Sequence, residues 1–295
     1  MKILISDAFD PGLADKLARF GEVFTDKDRL PEADVVLVRS KTKCTQEYID
    51  GAANLKLIIR GGVGMDNIDI PYAESKGIRC VNTPDASTTA VAELAFALMI
   101  ALPNHITTGD ASMRRGQWLK KELKRTELQG KTLGILGLGR IGLALAARAR
   151  AFQMKVLGWH PDAYFTDFAE ICPTMEEVLG GSDFISLHMP QVPATQGLIN
   201  KQTLGHFKDG AFLINTARGK IVVEQDVVEA LQSGKLGGYA TDVWYSDPPE
   251  GSPLLAAPNT IFTPHIGAST KENMGRIAII AERVIEDYLA VGRPA

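Results

Sequence analysis

Three cysteines, no long apolar run and almost no excess charge each remove a class of protein. Cys44, Cys80 and Cys172 are too few for a disulfide framework and lack the paired spacing of a metal site. They fit reduced thiols of a cytoplasmic protein, with Cys80 expected in the core, and no metal is expected. The longest apolar run, 94–103, is about half of what a membrane-spanning helix requires, so no membrane partner is expected. The N-terminus enters a strand-like run directly, without the basic and apolar segments of a secretory signal. A net charge of -3 gives no basic surface for nucleic acid. The one basic cluster, Lys120, Lys121, Lys124 and Arg125, is interleaved with Glu122 and Glu127 and reads as a solvated helix face. No repeat with a period of about 20–50 residues is evident, which argues against a solenoid or a propeller.

Short β-branched and leucine-rich runs alternate with helix-like stretches throughout. Runs at 2–7, 34–39, 55–60 and 77–82 predict four or five strands of a small α/β unit. A helix is expected from Ser87 or Thr88, whose hydroxyls suit an N-cap, with Glu93 in its early turns and a bend or end at Pro103. The polar stretch 104–129 reads as an arm or connection. Six further runs, at 132–137, 155–160, 183–190, 211–216, 238–244 and 260–265, match the strand count of a complete dinucleotide-binding sheet. The stretch 271–289 is helical in pattern, has no strand after it, and is expected to cross back to the first domain.

Between the first two of these six runs lies Gly137-Leu138-Gly139-Arg140-Ile141-Gly142. A lone GxGxxG is a weak signal, but this one leaves an apolar strand and enters a helix-compatible stretch. In that setting Gly137 permits the turn, Gly139 lets the backbone approach a pyrophosphate, and Gly142 lets the helix pack on the strand. The helix N-terminus then faces the anion. The acidic residue expected about 20 positions on, which would bind the adenosine ribose, is absent. His160 stands there, with Asp162 two residues later. Neutral His160 or Asp162 can accept from the hydroxyls of NAD, the expected cofactor; protonated His160 can tolerate the 2′-phosphate of NADP.

Further blocks, Asn215-Thr216-Ala217-Arg218-Gly219, Thr241-Asp242-Val243-Trp244 and Thr263-Pro264-His265-Ile266-Gly267-Ala268-Ser269-Thr270, resemble the signatures of the D-isomer-specific 2-hydroxyacid dehydrogenases. The likeness extends to Val38-Arg39-Ser40, Gly61-Gly62-Val63-Gly64-Met65-Asp66-Asn67 and Val91-Ala92-Glu93. Within the family, 38–43 and 126–131 look most like the short form of the phosphoglycerate dehydrogenases, without a regulatory domain. The resemblance implies two doubly wound α/β domains, with a Rossmann dinucleotide-binding domain inserted into a smaller flavodoxin-like substrate domain. The corresponding division is 1–95 and 268–295 for the substrate domain and 96–267 for the cofactor domain. It also implies a homodimer, with 104–129 as its arm.

Oxidising a 2-hydroxy acid needs a base for the hydroxyl proton, a cation for the carboxylate and carbonyl, and a placed nicotinamide. By the resemblance, His265 is the acid/base and Arg218 the anchor. Asp247, five residues after Asp242, stands where relatives usually carry glutamate and is expected to pair with His265. Relatives that oxidise formate carry glutamine there, which argues against that reaction. Asp242, with Thr216, Ala217 and Gly267, is expected around the nicotinamide, and His188 and Pro190 beside the adenosine. Arg140 and Ile141 complete the glycine-turn contacts. Substrate contacts are expected from Arg39, Arg60, Gly62, Val63 and Gly64, with Lys41 as a further cation. The favoured reaction joins D-3-phosphoglycerate and 3-phosphohydroxypyruvate in serine biosynthesis. The alternatives are reduction of glyoxylate, hydroxypyruvate or another 2-keto acid and, in another class, a nucleotide-sensing corepressor.

Overall fold

A computed structural model describes residues 1–161 and 165–291. Asp162, weighed as a ribose contact, lies outside the described residues. Contacts divide the chain into two compact units, Met1–Ser87 together with the segment from Ala268, and Thr88–Gly267.

The first unit begins with β1 (Lys2–Ile5), α1 (Leu13–Leu17), β2 (Glu22–Phe24), β3 (Val35–Val38), α2 (Gln46–Asp50), β4 (Leu57–Arg60), α3 (Ile70–Ser75) and β5 (Arg79–Asn82). Its strands pair in parallel in the order β2-β1-β3-β4-β5, the flavodoxin-like arrangement. Alternation along the strands splits their side chains between two cores. Leu4, Val36 and Ile58 meet Ile49 and Ala73 on one face, while Ile3, Val35, Leu57 and Ile59 enter the other. Strand β2 escapes the sequence pattern because three residues beginning with an exposed glutamate hold too few apolar positions. Cys80 is half-buried against its core, since β5 is an edge strand.

The second unit opens with α4 (Thr88–Ala101) and α5 (Ile106–Arg114). It continues through β6 (Thr132–Leu136), α6 (Arg140–Ala151), β7 (Lys155–Trp159), β8 (Glu170–Ile171), α7 (Met175–Gly181) and β9 (Phe184–Leu187). It closes with α8 (Lys201–Gly205), β10 (Ala211–Asn215), α9 (Glu224–Ser233), β11 (Leu236–Thr241) and β12 (Thr260–Phe262). The described strands form a parallel seven-stranded sheet in the order β12-β11-β10-β9-β6-β7-β8. Apart from the two-residue β8, these are the six expected runs. Counted from β6, the order is that of a Rossmann sheet extended by one strand, and it reverses between β6 and β9. Helix α4 belongs to this unit because Ala92, Ala95, Leu98 and Met99 share a core with Leu133, Ile135 and Leu145.

The chain then forms α10 (Lys271–Val291) within the first unit. Ala278, Ala281 and Ile285, spaced three and four apart, are fully buried in the core that holds Ile3, Ile5 and Leu37. Burying a side chain of Ile285's size contributes about 1.5–3 kcal/mol toward holding α10 in the core it shares with β1 and β3.

Two local expectations change. Lys120, Lys121, Lys124 and Arg125 are not on a helix: α5 ends at Arg114, Gly116 follows at φ 72°, and the cluster lies in a turn and the irregular chain after it. Helix α4 does start at Thr88, but the hydroxyls of Ser87 and Thr88 are buried without a hydrogen-bond partner rather than capping it. Glu93 reaches Arg148 instead, at 2.9 Å. No single helix among the described residues is long and apolar enough to cross a membrane.

Candidate active site

The glycine turn lies at the carboxyl end of β6, where the strand order reverses. Gly137 adopts φ 102°, and a Cβ there would come within 2.7 Å of the His188 backbone at the end of β9. At Gly142 an added Cβ would overlap the Gly137 carbonyl oxygen. These two glycines serve the fold. Gly139 differs: a Cβ there meets nothing within 4 Å, and as N-cap of α6 it supplies no side-chain acceptor for the first-turn amides. Helix N-termini with free amides and open space before them suit an anion. Arg140 is exposed, Ile141 half-buried and Gly142 buried at the head of this helix.

His160 follows β7 and is half-buried. His188 lies past β9, its Nε2 2.8 Å from Ser186 Oγ. Part of its surface is accessible, yet burial of the ring pushes its pKa down to about 4, which keeps it neutral. Pro190 is exposed. Thr216 and Ala217 are buried beyond β10, and the Thr216 hydroxyl has no hydrogen-bond partner. An orphaned hydroxyl at a strand's carboxyl end and open space before a helix N-terminus both fit a bound dinucleotide.

Three segments of this unit carry the expected reacting groups. Arg218 follows Ala217, half-buried, and its Nη1 donates to the Ala217 carbonyl at 2.7 Å. His265 Nδ1 lies 2.5 Å from Asp247 Oδ2, with about a third of the imidazole and half of the carboxylate exposed. The shorter aspartate thus reaches the histidine. His265 itself sits at φ 55°, a left-handed conformation that costs a non-glycine residue about 1–2 kcal/mol. Buried Asp242 holds this segment: Oδ1 accepts from Thr263 Oγ1 at 2.6 Å and from the Ile266 amide at 2.8 Å, and Oδ2 accepts from the Gly267 amide at 2.7 Å. Asp242 and Gly267, expected at the nicotinamide, are therefore bonded to each other, and the aspartate has a positioning task that the sequence did not reveal.

In the first unit, Arg39 and its neighbours form a braced loop at the end of β3. Asp7, its side chain 3% exposed, accepts from the amides of Arg39 at 2.6 Å and Thr42 at 3.1 Å and from Thr42 Oγ1 at 2.7 Å. Asn67 Nδ2 donates to the carbonyls of Arg39 and Thr42 at 2.8 and 2.7 Å. Burial lowers the pKa of the Arg39 guanidinium, and nearby Asp7 opposes the shift. Lys41 is exposed. Arg60 Nη1 donates to the Gly61 carbonyl at 3.2 Å and lies where a Cβ of Gly62, at φ 142°, would fall. The Gly62 amide donates to Thr83 Oγ1 at 2.8 Å, Val63 is 39% exposed, and Gly64 is half-buried. Sequence reading missed Asp7 and Asn67, although Asp7 follows the carboxyl end of a parallel strand, where functional groups collect.

A Rossmann sheet with an open glycine turn and a histidine–carboxylate pair defines a dinucleotide-binding oxidoreductase. Residues 96–267 match the family described as D-isomer specific 2-hydroxyacid dehydrogenase, NAD binding domain. A hydroxypyruvate reductase of Thermotoga maritima is 43% identical over 262 residues, covering 88% of this chain and 86% of the relative. A D-3-phosphoglycerate dehydrogenase of Methanocaldococcus jannaschii is 40% identical over 297 residues, covering 96% of this chain but 57% of the relative. The chain thus spans little more than half of that longer relative. Among solved structures, D-lactate dehydrogenase from Aquifex aeolicus, complexed with NAD and lactic acid, superposes with a TM-score of 0.87 at 29% identity, covering 98% of this chain and 96% of that one. The chain belongs to the D-isomer-specific 2-hydroxyacid dehydrogenases, and its cofactor is NAD.

Proposed function

We propose that the chain interconverts D-3-phosphoglycerate and 3-phosphohydroxypyruvate, and the observation that carries the chemistry is the 2.5 Å His265–Asp247 pair. With Nδ1 donating to Asp247, Nε2 is the nitrogen left to take the substrate's hydroxyl proton. Asp247 orients the ring and stabilises the imidazolium that this transfer creates. Arg218 offers its planar fork to the substrate carboxylate and polarises the developing carbonyl. Bound NAD supplies the hydride acceptor. Thr216, Ala217, Asp242 and Gly267 are assigned to the nicotinamide side of the cofactor, His160, His188 and Pro190 to its adenosine side, and Gly139 to the pyrophosphate.

Arg39 is assigned to the substrate phosphate, with Arg60, Lys41 and the Gly62–Gly64 backbone as further contacts; its braced loop and the names of several relatives support this substrate. A second reading, reduction of hydroxypyruvate, is favoured by the Thermotoga relative, which this chain matches over most of that protein's length. NADH oxidation with 3-phosphohydroxypyruvate, hydroxypyruvate and glyoxylate separates the two. The first reading requires the highest kcat/KM for the phosphorylated acid and a rise in its KM alone on Arg39→Ala. Equal effects of Arg39→Ala on all three acids would reject the phosphate assignment. NADPH in place of NADH tests His160, since a preference for NADPH would contradict the ribose assignment.

We also infer a cytoplasmic homodimer serving serine synthesis. Exposed Ile106, Met113 and Trp118, at 56%, 56% and 73%, support an interface along 104–129. Light scattering during gel filtration reads the mass; a monomer would reject it. Burial pushes the thiols of Cys44 and Cys80 up to about 12 and 11, consistent with unreactive, reduced groups, and cell fractionation tests the location.

A further inference from the structure

The segments carrying Arg218, Asp247 and His265 come from three separate stretches of chain, and one residue touches the backbone of two, by its side chain and its own backbone, and begins the third. Trp244 is 9% exposed and packs edge-on to Phe262, with ring centroids 5.0 Å apart. Its indole Nε1 donates to the Thr263 carbonyl at 3.1 Å, two residues before His265. Its own backbone lies against Gly219, the residue after Arg218, so closely that a Cβ on Gly219 would overlap the Trp244 carbonyl. Three residues further on stands Asp247.

The need for such a contact follows from the sequence around His265. Pro264 has no amide hydrogen, so this residue cannot donate a backbone bond to its surroundings. Beyond the last strand bond, from the Thr263 amide to the Thr241 carbonyl, the next backbone anchor among the described residues is the Ile266 amide on Asp242. Between them lies His265 in its left-handed conformation. Asp242 collects donors from this segment, whereas the Thr263 carbonyl is an acceptor that a carboxylate cannot satisfy. The indole N–H satisfies it. A neighbouring bond extends the brace: Tyr245 Oη donates to the Val222 carbonyl at 2.7 Å, joining the stretch that leads to Asp247 to the one that follows Arg218.

We propose that Trp244 is a positioning residue that holds His265, Asp247 and Arg218 in register through its indole bond to Thr263 and its contact with Gly219, an inference that rests on reading those three as the reacting groups. Losing the indole bond frees the Thr263 carbonyl to turn toward water, and the Thr263–Pro264 peptide, one residue ahead of His265, turns with it.

The test is Trp244→Phe, which keeps an aromatic ring beside Phe262 but removes the N–H. Loss of one such hydrogen bond predicts a fall in kcat of about three- to tenfold, with the NADH dissociation constant close to wild type and the melting temperature lowered by a few degrees. The pH–rate profile should move as well, which a loss of packing alone would not cause. A readout independent of turnover is the Nδ1 proton resonance of the His265–Asp247 bond, observed with labelled histidine, which should shift in the variant. Wild-type kcat, pH profile and resonance in folded Trp244→Phe would overturn the proposal. Should that variant fail to fold, Tyr245→Phe decides: its ring is already 45% exposed, so the fold tolerates it. The brace predicts a fall in kcat of about two- to fivefold, and unchanged turnover and resonance would overturn it. Absence of turnover with every 2-keto acid in the unsubstituted enzyme would reject the functional reading instead, while the resonance still reports on the tryptophan.

Discussion

Replacing Asp247 tests whether an aspartate one methylene shorter than the family's usual glutamate works fully in its place. In Asp247→Asn the amide oxygen can still accept from His265 Nδ1, so ring orientation survives while the negative charge is lost. A hydrogen bond to a charged group contributes about 1.5–3 kcal/mol. About a third of the imidazole and half of the carboxylate face water here, so screening reduces the effect to about 1–1.5 kcal/mol. That corresponds to a fall of about five- to tenfold in kcat/KM for hydroxy-acid oxidation. Asp247→Glu is the sharper variant. The present contact is already 2.5 Å, so an extra methylene, about 1.5 Å of reach, has no room unless the segment withdraws. That segment is tied at Tyr245 to Val222 and at Ser252 to Glu224, and it cannot withdraw freely. Activity should therefore fall rather than rise. Steady-state oxidation across a pH series measures both variants. An unchanged rate and profile in Asp247→Asn would remove this residue from the mechanism, and a gain in Asp247→Glu would show that the segment is not fitted to aspartate.

The glycine turn predicts a contrast: Gly139→Ala should keep the melting temperature but weaken NADH binding, because its Cβ enters open space, whereas Gly142→Ala should destabilise the fold itself. Calorimetry of NADH binding and thermal melting separate the two, and tight binding by Gly139→Ala would refute the pyrophosphate assignment. His188 is neutral in the fold down to about 4, against about 6.5 when unfolded, so its contribution is present above pH 6.5 and lost as pH falls toward 4. The loss has an upper limit of about 3 kcal/mol, and urea unfolding of His188→Asn should show a flatter dependence over that window. Burial raises the pKa of Glu224, with the Ser252 hydroxyl opposing. Its stabilising contribution is complete below the ordinary carboxylate range and is lost as pH rises through the raised value, so Glu224→Gln should raise the melting temperature more at pH 8 than at pH 4. Equal shifts at both pH values would contradict that assignment.

The fold was legible where a pattern is local and long. The alternating strand runs and the apolar spacing of 271–289 need nothing beyond neighbouring residues, and four strands of the first sheet and the return helix follow from them. Strands β2 and β8 were not legible, since β2 begins with an exposed glutamate and β8 has only two residues, neither of them buried. The basic cluster misled for a related reason: interleaved charges suit an exposed turn as well as an exposed helix face.

Residue type and spacing along the chain were enough to identify a dinucleotide-binding turn, because glycines at a strand–helix junction are constrained by the anion they serve, and the dehydrogenase chemistry of Arg218 and His265 came from the resemblance of their blocks to a known family. The partners of those groups were decided by the tertiary structure. Asp242 beneath the His265 segment, Trp244 on Thr263, Asp7 and Asn67 around Arg39, and the reach of Asp247 are contacts between stretches far apart in sequence. Such contacts depend on distances that only the packed sheets set. The division has a physical cause: reactive groups are recognised by what they are, and the groups that hold them are recognised only by where they stand.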